Sequence, residues 1–315
     1  MAGGLVSDWA ASPRTGNNTD AREDEVMIST NASGDRVAMR DDQHASRRIS
    51  AVFNRAAAGY DKEPLRLSAF SADQLIAHAG IKPGQKVLDA GTGTGAVAIA
   101  AAQIVGPAGR VMAIDTAEQM LDRTQAKIAQ FGIANVDLHL MDAGHLEFRA
   151  GYFDVVLCSH ALDLLPDMEA AVRGWVRVLR PGGTIAFSAF GAGAFEPMAG
   201  MLLRRTEDQG VPGPDKLLAP GLHSLAASSR CRQLLESAGI PDSRVAEEQV
   251  GYHLRDAHEW WEVVMGSGFR DLVDRLDPQQ AEVIRSEHLA EVSRLAGENG
   301  LWLDVRTLFV SGHKP

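Results

Sequence analysis

The chain has 315 residues, 45% of them apolar, enough for one sizeable domain with additions. Its net charge of −10 disfavours nucleic acid as a partner, because phosphate binding needs a basic surface, and its two cysteines, Cys158 and Cys231, argue against a disulfide framework. No apolar run approaches the ~20 residues of a membrane span, and residues 1–10 lack a signal-peptide core, so the expected setting is cytoplasmic.

Residues 1–44 are rich in Ser, Asn, Asp and Gly, and their acids outnumber their arginines. Such a stretch cannot bury enough surface to order itself and reads as an arm, flexible or dependent on a partner. Residues 26–29 could strap onto a second copy, which leaves homo-oligomerisation open. Residues 45–84 read as helical: Ile49, Val52, Phe53 and Ala56 recur at helical spacing, as do Leu65, Leu67, Phe70, Leu75 and Ile76 less regularly, with Ala58-Gly59-Tyr60-Asp61 between the two sets. At Val87-Leu88 an apolar strand runs into Asp89. A loop with glycine at every second position follows, Gly91-Thr92-Gly93-Thr94-Gly95, and then a strong helix former over 96–105. Further strands are expected over 110–114, ending in Asp115, over 136–141, ending in Asp142-Ala143, and over 153–159, ending in Ser159 ahead of His160. The run Val178-Leu179-Arg180-Pro181-Gly182-Gly183 closes a helix with a Pro-Gly turn before a fifth strand over 184–189.

Residues 191–223 interleave Gly and Pro with Phe195, Met198, Met201, Leu202 and Leu203, a pattern that suits an apolar lid with flexible hinges; the alternative is an amphipathic helix over 196–207 that only packs on the sheet. Residues 224–315 are expected to form a helix over 225–238, a strand over 245–252, a short helix over 256–264 carrying Trp260-Trp261, a long helix over 278–296 and a last strand over 303–311.

The loop after Asp89 lets a ligand lie against bare main chain and offers it the free N–H groups of a helix start. Gly91-x-Gly93-x-x-Ala96 also satisfies the permissive dinucleotide fingerprint, so an NAD-linked oxidoreductase is the rival reading. Asp89 weighs against it. A carboxylate ahead of the first glycine opposes a pyrophosphate but suits a ligand that carries an ammonium and a sulfonium.

The pattern Asp-x-Gly-x-Gly-x-Gly, with acids at the ends of the next two strands and the 178–183 run behind them, resembles the class I S-adenosylmethionine (SAM) methyltransferases. The resemblance implies an α/β, Rossmann-like sheet of seven strands with the last antiparallel, N-terminal helices and a lid insertion. On that map residues 45–84 are the helical segment, 85–190 the SAM-binding core, 191–223 the lid and acceptor-binding insertion, and 224–315 the remainder of the core fold. It implies SAM as cofactor, held by Asp89, Gly91, Thr92, Gly93 and Gly95, by Asp115 with Thr116 and Met120, by Asp142 and Ala143, and by Ser159. Asp115 would take the ribose hydroxyls, and Asp142 with Ala143 the adenine. In the ubiquinone and menaquinone C-methyltransferases a similar Tyr-Asp segment lies over the cofactor, which adds Tyr60. Other motifs of that group are only partly present.

Transfer of a sulfonium methyl is an in-line displacement, in which positioning alone can contribute about 7–11 kcal/mol and a general base only ~10²–10⁴-fold. A base is therefore worth seeking but not required. His160, at the carboxyl edge of the fourth strand, and His223, just after the lid, are the catalytic candidates, with His253 a third. Each also reads as a capping or surface histidine. No metal-ligand spacing occurs. The expected acceptor is an apolar small molecule of natural-product metabolism, methylated on O or C. A prenyl or terpenoid alkene would need no base, and Phe53, Tyr60, Phe190, Phe195 and the Trp pair could shelter its carbocation.

Overall fold

The computed structural model describes residues 32–213 and 224–315, with side chains from His44 onward. Two helices come first, α1 (Ala32–Ala56) and α2 (Leu67–Ala79). An alternating run follows: β1 (Lys86–Ala90), α3 (Ala96–Val105), β2 (Arg110–Asp115), α4 (Glu118–Phe131), β3 (Val136–Leu140), β4 (Phe153–Ser159), α5 (Met168–Val178) and β5 (Leu179–Phe190). The rest comprises α6 (Met198–Asp208), α7 (Ser228–Ser237), β6 (Ser243–Gln249), β7 (Tyr252–Leu254), α8 (Ala257–Met265), α9 (Arg270–Asp274), α10 (Pro278–Val292), β8 (Leu301–Leu303) and β9 (Arg306–His313).

Seven strands form one sheet in the order β3-β2-β1-β4-β5-β9-β6. β1 to β5 pair in parallel, and β9 runs antiparallel to both β5 and β6. This is the Rossmann-like architecture with an antiparallel last strand. The central strands are covered on both faces, which is why β1 and β4 read as nearly unbroken apolar runs. One face packs α5 and α7 through Trp175, Phe153, Phe187 and Leu235, and the other packs α2 and α3 through Leu75, Val97, Ala101 and Phe309. The chain order reverses between β1 and β4, so their carboxyl ends part there and leave a crevice.

A separate apolar cluster lies beyond the sheet. Leu202 of α6, Trp260 of α8, Leu272 of α9, Val292 of α10, Leu254 and Leu303 pack together. Asp256 caps α8 by accepting from the N–H groups of His258 and Glu259, and Asp277 with Gln280 forms a capping box on α10 behind Pro278.

Four local expectations change. α1 begins at Ala32, inside the stretch read as an arm. Pro181-Gly182-Gly183 is not a free turn: β5 already pairs at Leu179 with Phe153, and the glycines absorb a register shift before Thr184 rejoins β4. The single strand expected over 245–252 is β6, and Tyr252 starts β7, which pairs with β8 in a second, two-stranded sheet. The single strand expected over 303–311 divides likewise, Leu303 ending β8 and Arg306 opening β9. Residues 252–303 therefore join α6 in the separate cluster instead of extending the core sheet. Among the described residues no helix is long and apolar enough to cross a membrane.

Candidate functional site

Two contiguous cavities open at the carboxyl ends of β1, β2 and β4, with Phe53, Tyr60, Gly91, Gly93, Ser159 and His160 in the walls of both. One is larger than its neighbour, and both open to solvent at their mouths.

The glycine loop is pinned to β2: the N–H groups of Gly91 and Thr92 both donate to the Ile114 carbonyl, and Gly93 N–H donates to Asp115 Oδ2 at 2.8 Å. Gly91 has φ +75°, and a Cβ there would meet the Ala161 Cβ at 2.7 Å, so only glycine fits this bend. Gly95 also needs its bareness (a Cβ would come within 2.5 Å of Thr124), but it serves helix packing and lies outside both cavities.

Asp89, the penultimate residue of β1, is fully buried. Its Oδ2 accepts from the Thr92 hydroxyl at 2.6 Å, while Oδ1 has no partner among the described residues. Burial pushes its pKa up to about 7, with the Thr92 bond pulling the other way and Asp115 adding to the rise. A buried carboxyl with an unsatisfied oxygen at a cavity wall is a place prepared for a cation.

Asp115 ends β2 and holds the Gly93 and Ala117 N–H groups, and burial pushes its carboxyl up. Thr116, Met120, Asp142 and Ala143 line the smaller cavity with it. Asp142 accepts from Gly144 N–H at 2.8 Å and from the Ser46 hydroxyl at 3.0 Å, and the Thr116 carbonyl accepts from Ser50. α1 thus lies across this cavity. The Ala143 carbonyl is turned into the core, where it accepts from the Trp175 indole at 2.8 Å. Thr92 lines the larger cavity. Tyr60 stands at the junction, its phenol pushed up by burial and hydrogen-bonded to Ser68.

Beyond Asp89 the larger cavity turns apolar, walled by Leu65, Leu67, Phe190, Phe195, Phe269 and Leu272. His160 sits where the two spaces meet. Its ring stacks on Phe190 at 4.0 Å and 14°, and Nε2 lies 3.0 Å from the Ser71 hydroxyl. Nδ1 is buried without a partner among the described residues. Burial pushes the imidazole down to about 3, so it is neutral at pH 7. His223 lies outside the described residues. His253 is exposed on β7 beside Trp302, away from both cavities. Trp260 is a core residue whose indole donates to His288, and neither Trp260 nor Trp261 reaches the cavity walls.

Sequence reasoning missed Phe269, Ser46, Ser50, Ser68 and Ser71. They belong to helices or loops far from the glycine motif and carry no signature beyond the helical spacing of Ser68 and Ser71 on α2.

The crevice, the glycine loop and the acids that end successive strands define a class I methyltransferase. A profile described as a methyltransferase domain matches residues 87–183. The aklanonic acid methyltransferase DauC of Streptomyces sp. (strain C5) is 31% identical over 49% of this chain and 71% of that protein. The nocamycin O-methyltransferase of Saccharothrix syringae is 28% identical over 83% of this chain and 96% of that protein. The solved structure of the YcgJ protein of Bacillus subtilis superposes with a TM-score of 0.52 over 78% of this chain and 97% of its own, at 16% identity, a likeness of fold alone. The chain belongs to the SAM-dependent methyltransferases. That family membership removes the NAD-linked alternative, and SAM is the cofactor. The residues fit it: an orphaned carboxylate oxygen stands ready for a cationic group, and the Gly91 bend has no room for a side chain.

Proposed function

We propose that the protein transfers a methyl group from SAM to a hydroxyl of a neutral, apolar small molecule in natural-product metabolism. The observation that carries this reading is the cavity pair: a polar half closed over by α1 and an apolar, ring-lined half meet at His160 and Tyr60. When bound, the cofactor supplies an electrophilic methyl on a sulfonium. Asp89, with Oδ1 unpartnered, takes the cofactor's ammonium. Asp115 accepts from the ribose hydroxyls, and Asp142 and Ala143 border the adenine, with Thr116, Met120, Thr92, Ser159 and the Gly91–Gly93 backbone completing the cradle. Tyr60 closes it from the N-terminal side. Phe190, Phe195, Phe269 and Leu272 hold the acceptor, and this apolar wall disfavours an anionic one, which it would strip of water without a partner. His160 receives the hydroxyl proton. The near-full-length likeness to the nocamycin O-methyltransferase supports oxygen as the acceptor atom.

The test is mass spectrometry of apolar hydroxylated compounds incubated with the protein and SAM. Gain of a methyl in place of a hydrogen supports the reading, and transfer only to anionic acceptors refutes it. A second reading, C-methylation of an apolar alkene, is favoured by the rings of Phe53, Tyr60, Phe190, Phe195 and Phe269 around the cavity. It needs no base, so His160→Gln would leave its rate intact.

A further inference from the structure

Among the described residues only two that are not glycine have a left-handed backbone, His160 at φ +50° and Phe195 at φ +66°, and both pack against the ring of Phe190. A non-glycine residue keeps that conformation only where its surroundings over-determine it. At His160 they do. Its N–H donates to the Ser188 carbonyl at 3.1 Å, its ring is stacked on Phe190, and Nε2 is held by Ser71, a fully buried residue of α2. The fold accepts a second cost at the same residue, a buried Nδ1 without a partner. A phenylalanine or leucine could fill this space without an orphaned nitrogen. Two costs at one side chain, where the two cavities join, point to a nitrogen held for a partner that arrives with the acceptor.

Which nitrogen carries the hydrogen decides what that partner meets. Were Ser71 to donate to Nε2, Nδ1–H would be an orphaned buried donor, and buried N–H groups without acceptors are rare. Were Ser71 to accept from Nε2–H, Nδ1 would keep a bare lone pair, the form a base requires. We propose that Ser71 is a positioning residue for methyl transfer: by accepting Nε2–H it holds His160 in the tautomer whose Nδ1 takes the acceptor's hydroxyl proton. This rests on the O-methylation reading above. In the step the O–H proton passes to Nδ1. The O–H bonding pair stays on oxygen and serves the new oxygen–carbon bond, and sulfur keeps the pair of the broken carbon–sulfur bond. The imidazolium then returns its proton to solvent.

The tautomer can be read without any acceptor. Long-range proton–nitrogen correlation spectra of the ¹⁵N-labelled full chain at pH 7, with the His160 signals assigned by their loss in His160→Gln, should show Nε2 protonated and Nδ1 bare. Ser71→Ala should blur this into a mixture, and Ser71→Thr, which keeps a hydroxyl, should restore it. Observation of Nδ1–H in the native protein overturns the proposal, and so does an unchanged spectrum in Ser71→Ala. With an acceptor identified by the mass assay, Ser71→Ala should lower kcat about tenfold or more, a part of the ~10²–10⁴ that a base contributes, with KM for SAM unchanged and rate recovered in Ser71→Thr. Full activity in His160→Gln would sink the base reading itself. Loss of activity in His160→Gln with normal kcat in Ser71→Ala would sink only the role given to Ser71.

Discussion

Asp89→Asn should stabilise the cofactor-free protein at alkaline pH while weakening its hold on the cofactor. The side chain is fully buried, and its carboxyl titrates at about 7 against an ordinary 3.8. Between those values the folded chain keeps a proton that the unfolded chain has lost. The group's contribution is therefore most favourable below pH 3.8 and declines as pH rises to 7. That interval amounts to a penalty on the order of 4 kcal/mol at pH 8. Asparagine carries no charge and keeps an oxygen for the Thr92 hydroxyl, but it places an amide N–H₂ where Oδ1 has no partner, at a cost of ~1–3 kcal/mol. The balance is a gain of roughly 1–3 kcal/mol at pH 8 that shrinks steadily as pH falls from 7 toward 4. A hydrogen bond to a charged group contributes ~1.5–3 kcal/mol, so S-adenosylhomocysteine should bind the variant about ten- to a hundredfold more weakly. In the native protein the same affinity should fall about tenfold per pH unit below 7, because the carboxyl must ionise before it meets the ammonium. Urea midpoints at pH 5 and 8, with calorimetric titration of S-adenosylhomocysteine, measure both effects. Unchanged affinity, or a midpoint at pH 8 no higher than native, would refute the reasoning.

Gly91→Ala should abolish S-adenosylhomocysteine binding and lower stability by ~1–3 kcal/mol, since it forces a side chain into a left-handed bend against Ala161; calorimetry and a denaturant midpoint check the two parts. Trp260→Phe removes the hydrogen that the indole donates to buried His288, whose other nitrogen already lacks a partner, so a stability loss of at least ~1–3 kcal/mol is expected in urea titration. Burial pushes His160 down to about 3 and His288 to about 4, so their favourable contribution is complete above pH 6.5 and is lost as the solution is acidified below it. Asp89 acts in the opposite sense over the same window, so stability should fall more steeply with acid in Asp89→Asn than in the native chain, and parallel pH profiles would contradict this. Arg55→Ala, which cuts the ion pairs from α1 to Asp271 and Asp274, should cost under about 1 kcal/mol, because the arginine is partly solvated and the two aspartates keep Arg275 and Arg270, and a urea midpoint checks it.

The sheet and the glycine loop were legible because their demands are local. A strand buried on both faces must be apolar throughout, a bend without room for a Cβ must be glycine, and Asp89, Asp115 and Asp142 stand at or just beyond the carboxyl ends of strands. β1 to β5 could therefore be placed from pattern alone, and Asp89, Asp115 and Asp142 with them. The breaks in the C-terminal strands could not. Residues 245–252 and 303–311 each continue an apolar pattern through a point where the backbone leaves one sheet for another, and periodicity does not say which partner a strand will find. The second half of α1 was legible from the spacing of Ile49, Val52, Phe53 and Ala56, but its start at Ala32 was not, because residues 32–44 are polar and look like an arm. The apolar wall of the larger cavity belongs wholly to tertiary structure. Trp260 and Trp261 are adjacent in sequence, yet docking of α8 made one core and left both away from the cavity, while Phe269 took a place in its wall. Ser71 meets His160 only because α2 packs on the face of the sheet beside α3, a contact spanning 89 residues of chain that no local pattern encodes. Sequence alone determined the fold and the class of cofactor through short-range backbone constraints; the shape and lining of the larger cavity were decided by long-range packing.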